Sequence, residues 1–406
     1  MKSPTKRVSY ILSQFPETHE TFILREILEM ERQGVSVEIF SLKKCHDELI
    51  QTDSLRLKDR THYLTASVWL KAILLAGVFG LKHPARFVGM LYTIFRDNKK
   101  HPAYLLKTLG LLPIGIYVGQ KSRQLGVHKI HAHWATVPTE IGWVASRAAD
   151  LSFSFTAHAW DIFLHPGNLE RLIDDADQVI TCTKFNKSYM NKKFGRDFGN
   201  KITVIYHGLD FSGILPKNGA VTDEFVALAV GRLVEQKGFG DLLKAVSLLK
   251  RNRKITLLLV GEGPLRGELE KMARRLDIQD RVEFKGMLLQ QEVFSLMRQA
   301  DVLIMPSVIA KNNDRDGIPN VILEAMAHRL PVIGTNVSGL PEVIVDHETG
   351  LLVPPGAPEE LANAIESLMT NVTETQSMVE KARQLIVENF DIHKNVFRMR
   401  EKLELI

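Results

Sequence analysis

Residues 312–327, NNDRDGIPNVILEAMA, hold the densest group of chemically able side chains in this 406-residue chain. Gly317, Ile318 and Pro319 form a break that a helix interior does not accommodate. From Asn320 onward Val321, Ile322, Ala325 and Met326 recur at helical spacing, with Asn320 as the expected N-cap. A loop whose backbone N–H groups meet a helix N-terminus is a ready anion site. Asp316 precedes the turn and Glu324 lies one turn into the helix, and carboxylates there would hold hydroxyls. A phosphate at the helix end with hydroxyls on two carboxylates describes a nucleotide-sugar site. Taken alone, the stretch reads first as an ordinary capped loop–helix junction with a solvated acid.

A second group lies in VGRLVEQKGFG, residues 230–240. Arg232 and Lys237 follow an apolar strand and precede a helix. Two fixed cations and a helix N-terminus neutralise a diphosphate without a metal ion. Surface charge on a loop is the competing account, and the location at a strand's carboxyl end favours the ligand. The turn GEGP, Gly261–Pro264, lacks the G-x-G-x-x-G spacing and is read as a tight turn. In FTAHAWDI, His158 stands at the end of a strand with Asp161 a turn away, where a histidine can offer a nitrogen to a ligand or be packed and hydrogen-bonded. His131 and His133 point to one face of another strand. No cysteine or carboxylate is spaced along the sequence to complete a metal site with them, and no metal is expected. In SQFPETHETF, Thr18, Glu20 and Thr21 lie at a helix start. Thr21 is read first as a capping residue and second as a phosphate contact.

These groups need a scaffold of strand ends. Val8–Leu12, Thr21–Gln33 and Val35–Leu42 read as strand, helix, strand, which starts an α/β domain with a parallel sheet. The alternation breaks over 52–126, where Val68–Gly80, Pro84–Phe95 and Tyr104–Val118 read as apolar helices with basic flanks. It resumes with strands at Lys129–Trp134, Phe153–His158, Gln178–Cys182 and Ile202–Tyr206. Polar text from His207 to Asp223 reads as a linker. A second α/β series then runs from Phe225 to a helix at Pro358–Met369, followed by a helical tail broken near Asn389–Asp391. The expectation is α/β with two Rossmann-like doubly wound domains, 1–210 and 211–385, facing across a cleft. A last segment, 386–406, returns to the first domain.

Composition bounds the partners. The chain is 45% hydrophobic and 24% charged, as in soluble globular proteins. Its formal charge of +5 is uneven: residues 1–210 carry 28 Lys/Arg against 20 Asp/Glu, and residues 211–406 carry 24 against 27. Residues 54–147 alone hold 14 basic and 3 acidic side chains. Such a face suits an anionic lipid surface or an anionic substrate, with a cover over the domain as the alternative. It lacks any nucleic-acid reader motif, so nucleic acid is not an expected partner. Two cysteines, Cys45 and Cys182, make no disulfide framework and fit a reducing, cytoplasmic compartment. The N-terminal residues read as a first strand, not a signal peptide. No charge-free run of about 18 apolar residues is present, so no membrane-spanning helix is expected.

VGRLVEQKG, LLLVGEGPLR, VEFKG, ADVLIMPS, DGIPNVILEAMA and GLLVPP occur in this order over residues 201–385. They resemble the C-terminal domain of family 4 retaining glycosyltransferases of GT-B fold. SQFPETHETFILREI, HAHWATVPTEI and FTAHAWDIFLHP in the first half resemble the colanic-acid and exopolysaccharide type. The resemblance implies retaining transfer of a sugar from a UDP- or GDP-sugar, without metal, to a lipid-linked or polysaccharide acceptor. Arg232 and Lys237 would hold the diphosphate and Glu324 the ribose hydroxyls. Asp316 and His158 would contact the sugar. Gly231, Gly317, Ile318, Asn320, Val321 and Thr21 would line the donor site. The departing phosphate oxygen would take the acceptor proton, so no dedicated base is needed. Asp316 departs from the family pattern, standing one methylene short of the usual Glu. A GT-B epimerase or phosphorylase, or a degenerate sugar-nucleotide-binding protein, would share much of this pattern. The protein would sit in the cytoplasm or on the inner face of the membrane.

Overall fold

The computed structural model describes residues 6–17, 21–44, 52–99, 102–164, 167–215, 224–249 and 254–406. The chain divides into two compact units, one holding residues 1–182, 186–208 and 392–406 and the other residues 183–185 and 209–391.

Unit 1 begins with β1 (Arg7–Phe15), α1 (Thr21–Arg32) and β2 (Ser36–Lys44). After α2 (Thr52–Lys58) and the two-residue β3 (His62–Tyr63), three consecutive helices follow: α3 (Ala66–Lys82), α4 (Pro84–Asn98) and α5 (Pro102–Gln124). The alternation resumes with β4 (Lys129–His133), α6 (Val137–Ala149), β5 (Ser152–Ala157), α7 (Ala159–Phe163), α8 (Leu169–Asp175), β6 (Gln178–Thr181), α9 (Lys184–Phe194) and β7 (Ile202–Val204). The seven strands are parallel in the order β3-β2-β1-β4-β5-β6-β7. Both faces of such a sheet are covered, so its strands read as apolar runs. Val8, Tyr10 and Leu12 share one face by the two-residue period and pack with Ile23, Ile27 and Met30 of α1.

Unit 2 runs β8 (Phe225–Val230), α10 (Phe239–Leu248), β9 (Ile255–Val260), α11 (Arg266–Arg275), β10 (Val282–Gly286), α12 (Gln290–Gln299), β11 (Val302–Met305), α13 (Asn320–Ala327), β12 (Val332–Thr335), β13 (Leu351–Val353), α14 (Pro358–Thr370) and α15 (Val372–Asn389). Its six parallel strands take the order β10-β9-β8-β11-β12-β13. The final helix, α16 (Ile392–Lys402), belongs to unit 1, where its Val396 and Met399 join the α1 core and His393 meets Glu29 at 2.9 Å. Two parallel sheets, each flanked by helices, constitute the GT-B architecture the sequence implies.

The helical insertion differs from the sequence expectation in one respect. α5 is long and apolar enough to cross a membrane by composition. Its second half is nonetheless core, because Gly115 and Gly119 let it lie directly on α6. A Cβ at Gly119 would stand 2.3 Å from the Ala145 carbonyl oxygen, and one at Gly115 would stand 2.4 Å from Val144. A helix held this closely by its neighbour is part of the domain, and Lys107 and the basic last turn bound it as ordinary flanks.

Candidate active site

In each unit the strand order reverses at one point, between β1 and β4 in unit 1 and between β8 and β11 in unit 2. Ligands of open α/β sheets bind beyond the carboxyl ends of strands at such switch points. The candidate residues lie at these two places.

In unit 2, the loop after β8 carries Gly231, Arg232 and Lys237, and the loop after β11 carries Asp316 through Pro319. Lys237 Nζ donates to Asp316 Oδ1 at 2.9 Å, and Ser307 Oγ donates to Asp316 Oδ2 at 3.1 Å. The two loops are further tied by Val308 N–H to the Gln236 carbonyl at 2.9 Å and Gln236 Nε2 to Asp314 Oδ2 at 2.7 Å. Gly231 lies against the Lys237 stem, at 3.2 Å from Lys237 Cε to where its Cβ would be. Burial, followed by the neighbouring Asp316 charge, pushes the Asp314 carboxyl up from its usual range. Arg232 is exposed, whereas Lys237 and Asp316 are each largely shielded.

Gly238, at φ +67°, closes the loop and caps α10. The GEGP turn serves as the brace of this loop: Gly261 and Gly263 lie so close that Cβ atoms there would meet Gly231 O at 2.0 Å and Leu233 O at 2.6 Å. Leu233 N–H donates to the Glu262 carbonyl at 2.9 Å, and Leu265 N–H donates to the Leu233 carbonyl at 3.0 Å. Sequence reading treated the turn as separate from the cationic loop; the hydrogen bonds make them one structure.

α13 starts one residue earlier than the capping pattern implied. Pro319, in extended conformation, is the N-cap; Asn320 is the first helical residue and makes no capping bond. Proline has no side-chain acceptor, so the first turn of α13 is left without a side-chain cap. Gly317 and Ile318 lie between Asp316 and this helix end, and Val321 is buried at its start. Glu324 is buried on α13 and accepts from Gln290 Nε2 of α12 at 3.1 Å. Gly231, Lys237 and Asp316 are therefore brought together directly, and Glu324 is held by Gln290, a residue the sequence did not single out.

In unit 1, His158 follows β5 and caps α7, with its N–H donated to Asp161 Oδ1 at 2.8 Å. Asp161 is fully buried and also accepts from Ala135 N–H; burial outweighs these bonds and raises its carboxyl to about 7. His158 is buried, stacks on His207 with ring centroids 5.4 Å apart, and lies 4.3 Å from the Trp134 ring. Burial, then the neighbouring His207 and His133, lower its pKa well below the ordinary histidine value. Thr21 is the first helical residue of α1, at the carboxyl side of β1; Thr18 and Glu20 lie outside the described residues.

The H-x-H pair does gain a carboxylate, contrary to what sequence spacing implied. Glu26 of α1 offers an oxygen near His131 and His133, and Cys182 offers its sulfur near His158 and His207. Side-chain hydrogen bonds already occupy the first set. His131 meets Ser154 Oγ at 2.8 Å and Thr156 Oγ1 at 3.0 Å, so both ring nitrogens are engaged. In the second set the His158 and His207 rings are stacked, with planes 12° apart. Glu26, His133 and His207 are the unit-1 residues that sequence reading did not assign to the site. Tertiary proximity alone reveals them, because Glu26 sits on the buried face of α1 107 positions before His133.

Residues 211–385 match the family model for glycosyl transferases group 1. Over 95% of its length the chain is 26% identical to a putative colanic acid biosynthesis glycosyltransferase, WcaL, of Escherichia coli K12, covering 96% of that protein. It is likewise 26% identical over 98% of its length to the amylovoran biosynthesis glycosyltransferase AmsK of Erwinia amylovora, covering 99% of it. Among solved structures, Anabaena Alr3699/HepE in complex with UDP and glucose superposes with a TM-score of 0.72 at 19% identity, covering 99% of this chain and all of that one. Fold, matched domain and full-length relatives make this chain a glycosyltransferase of GT-B fold, related to the colanic-acid and exopolysaccharide type.

Proposed function

We propose that the protein is a family 4 retaining glycosyltransferase that moves a sugar from a UDP- or GDP-sugar to a lipid-linked or polysaccharide acceptor in exopolysaccharide biosynthesis. The observation that carries the reading is the braced loop pair at the unit-2 switch point, where Lys237 and Asp316 meet beside two helix N-termini. Lys237 and Arg232 supply positive charge for the diphosphate, and the N–H groups of Gly317, Ile318, Asn320 and Val321 lie at the uncapped end of α13. Gly231 allows the backbone to approach. Glu324, oriented by Gln290, accepts from the ribose hydroxyls. Asp316 and His158 contact the sugar, and Thr21, the first residue of α1 in the acceptor-side domain, contacts the donor. Cation and helix-end stabilisation of the leaving diphosphate acts without a metal, and its departing oxygen accepts the acceptor's proton. The complex of Alr3699/HepE with UDP and glucose supports a uridine nucleotide as the first donor to test.

Thermal-shift titration with UDP, GDP and their sugars identifies the nucleotide, since a ligand of the folded state raises apparent stability. Glu324→Ala and Lys237→Ala are each expected to abolish transfer, with EDTA leaving the wild-type rate unchanged. Wild-type turnover in either variant overturns the assignment, and loss of rate restored by a divalent ion overturns the metal-free reading.

An anionic membrane surface is the second proposed partner, with the protein on the cytoplasmic face. The buried residues of α3 (Ala72, Ala76, Phe79) and of α4 (Met90, Ile94) define one helix face each. The opposite faces expose Leu70, Ile73, Leu74, Val78 and Leu81, the last 86% exposed, and Val88, Tyr92 and Phe95. Lys71, Lys82, Arg86, Arg96, Lys99 and Lys107 are exposed around them. The sole carboxylate in residues 66–124 is Asp97, which turns inward to Arg171 at 2.8 Å. Large apolar patches rimmed by cations suit a lipid interface, where each basic side chain contributes about 1 kcal/mol. The 116° bend between α3 and α4 suits helices lying in that interface. The protein is expected to float with phosphatidylglycerol vesicles at low salt, and Leu74→Glu with Leu81→Glu to abolish flotation. A wild-type protein that stays in the soluble fraction under these conditions overturns the membrane reading.

A further inference from the structure

The middle of β1, the carboxyl end of β4 and the residue after β5 are joined by one chain of buried hydrogen bonds that sugar contact by His158 does not by itself require. Tyr10 O–H donates to Glu26 Oε1 at 2.6 Å. Glu26 Oε1 also meets His133 Nε2 at 3.2 Å, and His133 Nδ1 meets His158 Nε2 at 3.3 Å. Tyr10, His133 and His158 are buried, and Glu26 is nearly so. Rings lock the chain sideways, since His133 packs 5.2 Å from Tyr10 and His158 packs 5.2 Å from Phe22. Such a network is costly to bury and constrains its members only if each partner is satisfied.

The chain has a direction. Burial pushes the Glu26 carboxyl up, but His133, Tyr10 and His207 outweigh it and hold Glu26 below the ordinary carboxylate range. An ionised carboxylate only accepts, so His133 carries its proton on Nε2. A capping box sets the other His158 ring nitrogen against the N3 backbone N–H of α7, so His158 carries its proton on Nε2 and donates it to His133 Nδ1.

We propose that Glu26 and His133 are positioning residues for glycosyl transfer: through this chain they hold His158 in one orientation, as the tautomer with its proton on Nε2. His158 then has no spare N–H to donate towards the sugar. It orients the donor and does not protonate it, and the reaction's proton moves from acceptor to departing phosphate without passing through this ring. The proposal rests on the reading of His158 as a group in contact with the donor sugar.

The experiment uses the full chain with its donor, scored by transfer rate, nucleotide affinity and melting temperature. His133→Phe keeps the ring against Tyr10 and removes both bonds. It is expected to lower kcat by about 10- to 100-fold, the cost of a small misplacement near the reacting atoms, with nucleotide affinity unchanged. Glu26→Leu should act alike, and Glu26→Gln, which keeps an acceptor oxygen for His133, should recover most of that loss. Combined with His158→Ala, His133→Phe should add no further loss, because groups that act through one another are not additive. Multiplicative losses, or wild-type kcat in His133→Phe beside an impaired His158→Ala, overturn the chain alone. An unimpaired His158→Ala overturns the reading of His158 itself. Independently of any variant, nitrogen NMR of the ¹⁵N-histidine-labelled protein should show His158 neutral with Nε2 protonated. A proton on Nδ1 or a charged ring overturns the proposal.

Discussion

Gly238→Ala tests whether the cationic loop of unit 2 is a built site. Gly238 sits at φ +67°, ψ 17°, the left-handed region, between Lys237 and the first residue of α10. A side chain there costs about 1–2 kcal/mol in backbone strain alone. The space is also closed: the added Cβ would stand 1.9 Å from the Pro306 carbonyl oxygen and 3.3 Å from Val308 Cγ1. Relief requires the loop after β8 to move away from the loop after β11. That movement breaks the Val308–Gln236 backbone bond of 2.9 Å, worth about 1 kcal/mol. The sum is about 3 kcal/mol, at the large end for a single substitution. The same movement separates Lys237 from Asp316, so UDP affinity should fall more than tenfold.

The unfolding assay must report on unit 2. All four tryptophans, at 69, 134, 143 and 160, lie in unit 1, so urea unfolding is followed by circular dichroism and by amide exchange in α10. Gly240→Ala is the control. It lies two residues on, inside α10, where a Cβ meets only Met272 at 3.7 Å, and alanine favours the helix. The expected result is a large loss for Gly238→Ala and no loss for Gly240→Ala. Equal midpoints and equal UDP affinity in the two variants would refute the reasoning.

Three further outcomes follow from the same geometry. Asp316→Asn removes the carboxylate that competes with a diphosphate for Lys237, so UDP should bind a few-fold tighter, about 1 kcal/mol for a partly shielded pair, while transfer falls; weaker UDP binding would contradict this. Acid should destabilise unit 1 between pH 6.5 and 4: the pKa of His207 is lowered to about 4 by burial, and those of His131 and His158 are also lowered, so stability is full above the unfolded histidine value and lost as pH falls. His207 alone accounts for about 3 kcal/mol, and the raised Asp161 opposes it with stability lost as pH rises through about 7; Asp161→Asn should therefore steepen the acid loss, and an unchanged slope would count against the assignment. Gly119→Val should prevent α5 from lying on α6 and cost several kcal/mol at a carbonyl approached to 2.3 Å; a variant as stable as the parent would leave α5 free to be a membrane helix.

The fold was legible because parallel strands buried on both faces leave continuous apolar runs, and glycines and prolines separate them. VALAV and ITLLLV are such runs, and they form β8 at Phe225–Val230 and β9 at Ile255–Val260. Limits drifted where capping chemistry rather than hydrophobicity decides. α10 begins at Phe239, where Gly238 supplies the left-handed turn and the acidic Asp241 follows in the first turn. α13 is capped by Pro319 rather than by the more typical Asn320, because proline's fixed φ of about −65° suits the extended entry to the helix.

The unit-2 site was legible for a different reason from the unit-1 site. Its cations and carboxylates stand on two loops after adjacent strands, so the motif order itself brings Lys237 and Asp316 together, and the fold adds only their 2.9 Å contact. In unit 1 the histidines read as sugar contacts or as packed core, with no metal expected. Their partner, Glu26, is a charge on the buried side of an amphipathic helix, which periodicity alone counts as a blemish. A buried carboxylate persists only where donors meet it, and here Tyr10 and His133 do. The signal in the sequence was therefore the misfit: an acid at an apolar position of α1, in a chain where β4 ends in His133 and β5 is followed by His158. Where burial, charge and hydrogen bonding disagree with helical periodicity, the exception points to the site, and Glu26 is the exception in this chain.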